Sequence, residues 1–118
     1  MNEKHLSGML GLAYRAGKLA AGADKALDQV RQDKVVLVLL DSGTAANTRK
    51  KLADSCANRG IALLETTKGL LGRAIGRPGV NVIAVHPGGL AEKIQTIMAG
   101  GDIAPAKDKN LEGTALNG

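Results

Sequence analysis

Val35-Val36-Leu37-Val38-Leu39-Leu40 runs directly into Asp41-Ser42-Gly43-Thr44. Six consecutive apolar residues, β-branched where they begin, leave no polar side for a solvated sheet face. The run predicts a strand covered on both faces. A strand of that kind needs a layer of helices above it and another below. The four residues that follow turn the chain and offer several side-chain caps for a helix. That helix carries Leu52, Ala53 and Cys56 inward and ends at Asn58-Arg59-Gly60.

Upstream, Leu6, Met9, Leu10, Leu12, Ala13 and Ala16 form a helical apolar stripe that Gly17 stops. Leu19-Ala20-Ala21 predicts a brief strand before Gly22. A second helix is expected over residues 23–33, with Ala26, Leu27 and Val30 inward and Asp24 in its first turn. Downstream, residues 61–64 predict a third strand. Lys68-Gly69-Leu70-Leu71-Gly72-Arg73-Ala74-Ile75-Gly76-Arg77-Pro78-Gly79 then predicts a short helix, since Leu70, Leu71, Ala74 and Ile75 recur at helical spacing. Gly76 is placed to end it in the left-handed conformation, and Pro78 stops it resuming. Gly72, inside the helix, costs about 1 kcal/mol relative to alanine, which suits a place where another backbone comes close. Residues 80–85 predict a fourth strand, and His86-Pro87-Gly88-Gly89 leads into a last helix with Leu90, Ile94, Ile97 and Met98 on one face.

Strands alternating with helices predict an α/β protein: a three-layer α/β/α sandwich around a small four-stranded sheet, largely parallel or mixed. Periodicity vanishes from Gly100 onward. The expected organisation is therefore one domain over residues 1–100 and a disordered tail over residues 101–118.

With 118 residues, 44% of them hydrophobic, the chain is long enough for a core without staples. It lacks both a membrane-length apolar run and an apolar leader at its start, so a cytoplasmic location is expected. One cysteine excludes an internal disulfide framework, and no metal-ligand spacing or cofactor motif appears. The formal charge is +5 with a pI of about 9.6. The surplus lies in residues 44–77, where Arg49, Lys50, Lys51, Arg59, Lys68, Arg73 and Arg77 face only Asp54 and Glu65. A positive face within the folded part, rather than a basic tail, fits nucleic acid, although a merely solvated surface has the same composition. Tyr14 is the one aromatic residue. Single-strand readers stack bases on aromatic platforms, so a structured nucleic acid gripped by charge and backbone amides fits better.

Nucleotide chemistry finds no support: residues 72–77 lack the lysine and hydroxyl of a Walker loop, and no G-x-G-x-x-G follows a strand. Asp41, Ser42 and His86 are the best enzyme candidates, because parallel neighbouring strands would set all three at carboxyl ends. Each is also an ordinary turn, cap or strand-exit residue. Cys56, on an apolar helix face with no adjacent histidine, reads as a buried small residue.

Four motifs carry a family resemblance: Gly-Leu-Ala-x-Arg-Ala-Gly-Lys over residues 11–18, Gly22 opening the second helix, Asn47-Thr48-x-Lys-Lys over residues 47–51, and Leu-Gly-x-Ala-x-Gly over residues 71–76. Together they resemble the kink-turn RNA-binding ribosomal-protein superfamily of L-seven-Ae and L-thirty-e type, and within it the bacterial YlxQ-like branch. The resemblance covers about Leu6 to Ile97. It implies an α/β/α sandwich that binds RNA along one edge without catalysis. The start of the second helix, Gly22, Ala23, Asp24 and Lys25, would enter the groove beside tandem sheared G·A pairs. The loop after the short helix, from Ile75 and Gly76 through Val80, would pack at the kink. Members of the family commonly carry Asn-Glu or Lys-Gln where this chain has Asp24-Lys25, and a lysine where it has Asp28.

The expected roles are separable. Gly22 and Gly72 let RNA approach the backbone. Lys25, Lys68, Arg73 and Arg77 neutralise phosphates or read a guanine edge. Ile75 and Pro78 touch an unstacked base, and Lys18 with Arg49, Lys50 and Lys51 widens the positive rim. The partner is structured RNA, ribosomal RNA or the ribosome among the candidates, bound by a monomer with no cofactor and no small-molecule substrate. The alternative is a protein-interaction module on the same fold, docking an acidic or ribosomal protein.

Overall fold

The computed structural model describes residues 3–99. In chain order they form α1 (Glu3–Arg15), β1 (Leu19–Ala21), α2 (Ala23–Arg31), β2 (Leu37–Asp41), α3 (Ala46–Arg59), β3 (Ala62–Thr66), α4 (Leu70–Ala74), β4 (Val82–Val85) and α5 (Gly89–Met98). The tail expected over residues 101–118 lies outside the described residues.

The central run behaves as its composition requires. Every residue of β2 is buried, and so is every residue of β4. Because side chains alternate across a strand, the two strands sort their residues into separate cores. Leu37, Leu39, Ile83 and Val85 join Leu6 and Leu10 of α1, Leu71 of α4, and Ile94 and Ile97 of α5. Val38, Leu40, Val82 and Ala84 join Ala26 and Val30 of α2 and Leu52 and Cys56 of α3. Helices therefore cover both faces, and the three-layer sandwich is present. The strand begins two residues later than its apolar run: Val35 is buried, whereas Val36 is 38% exposed, and the Val36 N–H donates to Val85 O (2.9 Å).

The strand order is β1-β4-β2-β3. β2 and β3 are parallel, whereas β4 runs antiparallel to both β1 and β2. The sheet is thus mixed rather than largely parallel, and the length of α4 explains it. A parallel crossover must carry the chain back along the sheet. The five residues of α4 rise only about 7 Å, so β4 starts at the end where β3 stops. At that same end β1 and β2 finish and α2 and α3 begin. This end gathers the candidate residues.

The caps expected for α3 are used otherwise. Ala45 is its N-cap and no side chain caps it. The Thr44 hydroxyl donates instead to Asp41 O (2.7 Å) and Asn81 O (3.3 Å), tying the end of β2 to the segment before β4. Gly76 does take a left-handed φ of 69° just after α4, and Gly60 closes α3 in the same conformation. Cys56 is 1% exposed, and burial pushes its thiol pKa upward, as expected of a packing residue.

Candidate functional site

At the gathering end, the start of α2 and the loop before β4 stand one strand apart. The Gly22 N–H donates to Val82 O at 2.8 Å, directly after Asn81 in the chain. Gly22 has φ 106° and ψ 147°, and open space lies where a side chain would project. Only glycine holds that backbone without strain, so α2 begins on a bare, uncapped turn. Ala23, Asp24 and Lys25 follow, the last two exposed. Asp24 lines a small cavity at the α2–α3 joint with Lys51 and Thr48. Asp28, a turn further on, accepts a hydrogen bond from Gln32 Nε2 (2.8 Å).

Beside this turn opens a cleft of about 350 Å³, lined by Lys68, Gly72, Arg73, Pro78 and Asn81 among others, with Asp41 on its wall. Asp41 is 6% exposed. Its Oδ1 accepts the Gly43 N–H (2.7 Å) and its Oδ2 the Gly69 N–H (2.6 Å). Two cations are laid across those glycines. The Lys68 stem passes 3.6 Å from where a Gly43 Cβ would sit, and Arg73 Nη1 lies 2.5 Å from where a Gly69 Cβ would sit. Arg77 and Pro78 are exposed on the loop, and Arg77 Nη1 donates to the Tyr14 hydroxyl (3.4 Å).

Around the rim, Arg49 pairs with Glu65 (2.6 Å) and Lys50 with Asp54 (3.3 Å), while Lys51 is exposed at the joint. Lys25, Arg49, Lys50, Lys51, Lys68, Arg73 and Arg77 therefore share one end of the sheet. Four expectations need correction. Lys18 stands at the opposite end: it precedes β1, its carbonyl accepts the His86 N–H (2.9 Å), and it lines a separate hollow with Pro87 and Gly88. Arg59 likewise leaves the basic group, because α3 carries it away to pair with Asp33 (3.5 Å). Ile75 is 8% exposed and packed in the core, so it is not placed to touch a base. Gly72 is buried, and the backbone that approaches it is the chain's own: an added Cβ would lie 2.9 Å from Arg77 O and 3.3 Å from Pro78 Cα.

The enzyme constellation is not assembled. Asp41 ends β2 and His86 follows β4, and these strands are antiparallel with Leu37 opposite Val85. His86 thus lies level with Val36, and five residue steps along β2, about 17 Å, separate it from Asp41. His86 Nε2 instead meets Gln29 Oε1 at 2.7 Å.

Sequence reasoning missed Asn81 and the holding role of Asp41. Asn81 lies outside β4, not within it, and its carbonyl accepts the Asp41 N–H at 2.8 Å. Its signal was available: a lone amide residue heading an otherwise apolar run.

Fold and site together define an α/β/α sandwich that presents a basic, glycine-rich face at one end of a mixed sheet. The chain belongs to the ribosomal protein L7Ae/L30e/S12e/Gadd45 family, whose model matches residues 4–95. It is 34% identical over 91 residues to the RNA-binding protein YlxQ of Bacillus subtilis (strain 168), covering 76% of this chain and 91% of that one. It is 27% identical over 100 residues to the RNA-binding protein YlxQ of Enterococcus faecium, covering 84% and 96%. Among solved structures, a Bacillus halodurans protein of unknown function matches with a TM-score of 0.76 at 34% identity, over 80% of this chain and 96% of that one. A 15.5kD RNA binding protein of Giardia lamblia shares the fold, with a TM-score of 0.66 at 19% identity over 85% and 87%.

Proposed function

We propose that this protein binds a structured RNA of kink-turn type, without catalysis, on the sheet end where α2 and α3 begin. The observation that carries the reading is the juxtaposition of two jaws. The bare turn at Gly22 is hydrogen-bonded to Val82, beside a cleft flanked by Lys68 and Arg73. One jaw offers free backbone amides at a helix start, where negative charge is favoured. The other offers exposed cations and the Pro78 ring. Two relatives named as RNA-binding proteins support the same reading. With Tyr14 as the sole aromatic, already engaged by Arg77, affinity comes from phosphate and groove contacts rather than base stacking. Ribosomal RNA is among the candidate partners, and the protein is read as a cytoplasmic monomer.

The test is affinity for a synthetic kink-turn hairpin beside the same hairpin with its sheared G·A pairs replaced. Tighter binding to the intact hairpin is expected. Equal, weak binding to both would remove the kink-turn claim and leave general RNA binding. No binding to either would overturn the proposal.

A further inference from the structure

A buried carboxylate in a cleft lined by two cations is an odd component for a face that meets a polyanion. Asp41 adds negative charge where phosphate should approach, and none of the expected RNA contacts needs it. Its geometry supplies the reason. Both carboxylate oxygens are taken by backbone N–H groups from two different loops, Gly43 at 2.7 Å and Gly69 at 2.6 Å. Charge-assisted hydrogen bonds of this kind are short and about twice as strong as neutral ones. The two glycines held in this way are the two on which the cleft's cations rest. The Lys68 stem lies over Gly43 with Cε and Cδ at 3.6 and 3.7 Å from a would-be Cβ, and the Arg73 guanidinium lies over Gly69. Asp41 is itself anchored through its backbone, since its N–H donates to Asn81 O and its carbonyl accepts from Thr44.

We infer that Asp41 is the positioning residue of the cleft: it clamps the loop after β2 to the loop before α4, and so sets the spacing and direction of Lys68 and Arg73. The inference rests on the RNA-binding reading for its consequence but not for the clamp itself. A long cationic side chain left free costs rotamer entropy each time it engages a phosphate. Laid over a fixed glycine backbone, it has already lost part of that freedom. The acid also offsets the repulsion between two cations directed into one cleft.

The experiment uses the full chain with Asp41→Asn, Arg73→Ala and the double variant. Asparagine replaces one acceptor oxygen by an NH2 group that only donates, so the pose of Asp41 can hold only one of the two glycine N–H groups. The kink-turn hairpin is titrated over a salt series, and amide hydrogen exchange is followed at Gly43 and Gly69. Expected are faster exchange at one or both amides and an RNA affinity lower by roughly tenfold, the scale of one hydrogen bond to a charged group. Much of that loss should vanish when Asp41→Asn is made in the Arg73→Ala background, because both changes act through one contact. A merely structural role would lower thermal stability but leave the two effects additive. Additive losses, or unchanged exchange at both amides, would overturn the proposal. If the parent chain binds neither hairpin, the RNA reading fails, while the exchange data still decide whether Asp41 clamps the loops.

Discussion

Arg73 is exposed on α4, with its guanidinium folded across Gly69 rather than paired with any acid in the described structure. Arg49, by contrast, is committed to Glu65 at 2.6 Å and Lys50 to Asp54 at 3.3 Å. A cation that already neutralises a carboxylate gains less from a phosphate than one that does not. Arg73→Ala should therefore cost about 1–3 kcal/mol of RNA affinity and make the salt dependence shallower by about one phosphate contact. An affinity loss with an unchanged salt slope would mean that Arg73 acts through packing, and no loss at all would take it out of the interface. Ile75 shows why residue type alone misplaces a contact. It was expected at the RNA because it lies beside Gly76 and Pro78, but the helical stripe it completes with Leu70 and Leu71 turns it into the core. Pro78, three residues later, is beyond the helix and stays exposed.

At the scale of an element, α4 is a five-residue helix whose sequence is at odds with helicity only at Gly72. The glycine is there because the loop that follows folds back onto it, with Arg77 O 2.9 Å from a would-be Cβ. Gly8 in α1 gives the contrast: it is exposed, inside a thirteen-residue helix, with nothing within 4 Å of a would-be Cβ. Replacing either by alanine gains the same helix propensity, about 1 kcal/mol. At Gly8 nothing opposes the gain, so Gly8→Ala should raise stability by about that amount. At Gly72 the obstacle is backbone and cannot rotate away, and overpacking of that kind costs about 1–3 kcal/mol. Gly72→Ala should therefore lower the urea midpoint and displace the 77–79 loop, weakening RNA binding as well. A stable Gly72→Ala protein that binds normally would show that this loop has room to move.

The whole molecule decides which charges act together. Residues 44–77 look like one basic block along the chain, yet α3 spans the sheet and carries Arg59 to the far end, where it meets Asp33. Lys18 and Lys25 are seven positions apart, but β1 lies between them, so they occupy opposite ends of the sheet. That separation exceeds about 10 Å, the three-residue rise of β1, and the screening length near physiological salt is about 8 Å. Lys25→Ala should lower RNA affinity severalfold at 0.15 M salt, whereas Lys18→Ala should stay within about twofold of the parent chain. Equal losses from both would place RNA along the length of the molecule instead of at one end.

What the sequence determined by itself is the local layer of this protein. The apolar runs at β2 and β4 and the helical stripes of α1, α2 and α5 state which residues must be buried, and burial on both sides of a strand already demands three layers. Gly22, Gly60 and Gly76 mark their turns because a positive φ strains every side chain but glycine's. The motifs, too, were legible before any coordinates. What only the tertiary structure decided is adjacency. The direction of β4 depended on how far a five-residue helix can carry the chain. That direction separated Asp41 from His86, the length of β1 set Lys18 away from the basic face, and the parallel β2–β3 register brought Asp41 against Gly69 from 28 positions away. Periodicity reports the environment of each residue one at a time. Which loops meet is set by strand order and crossover length, and those are properties of the packed sheet.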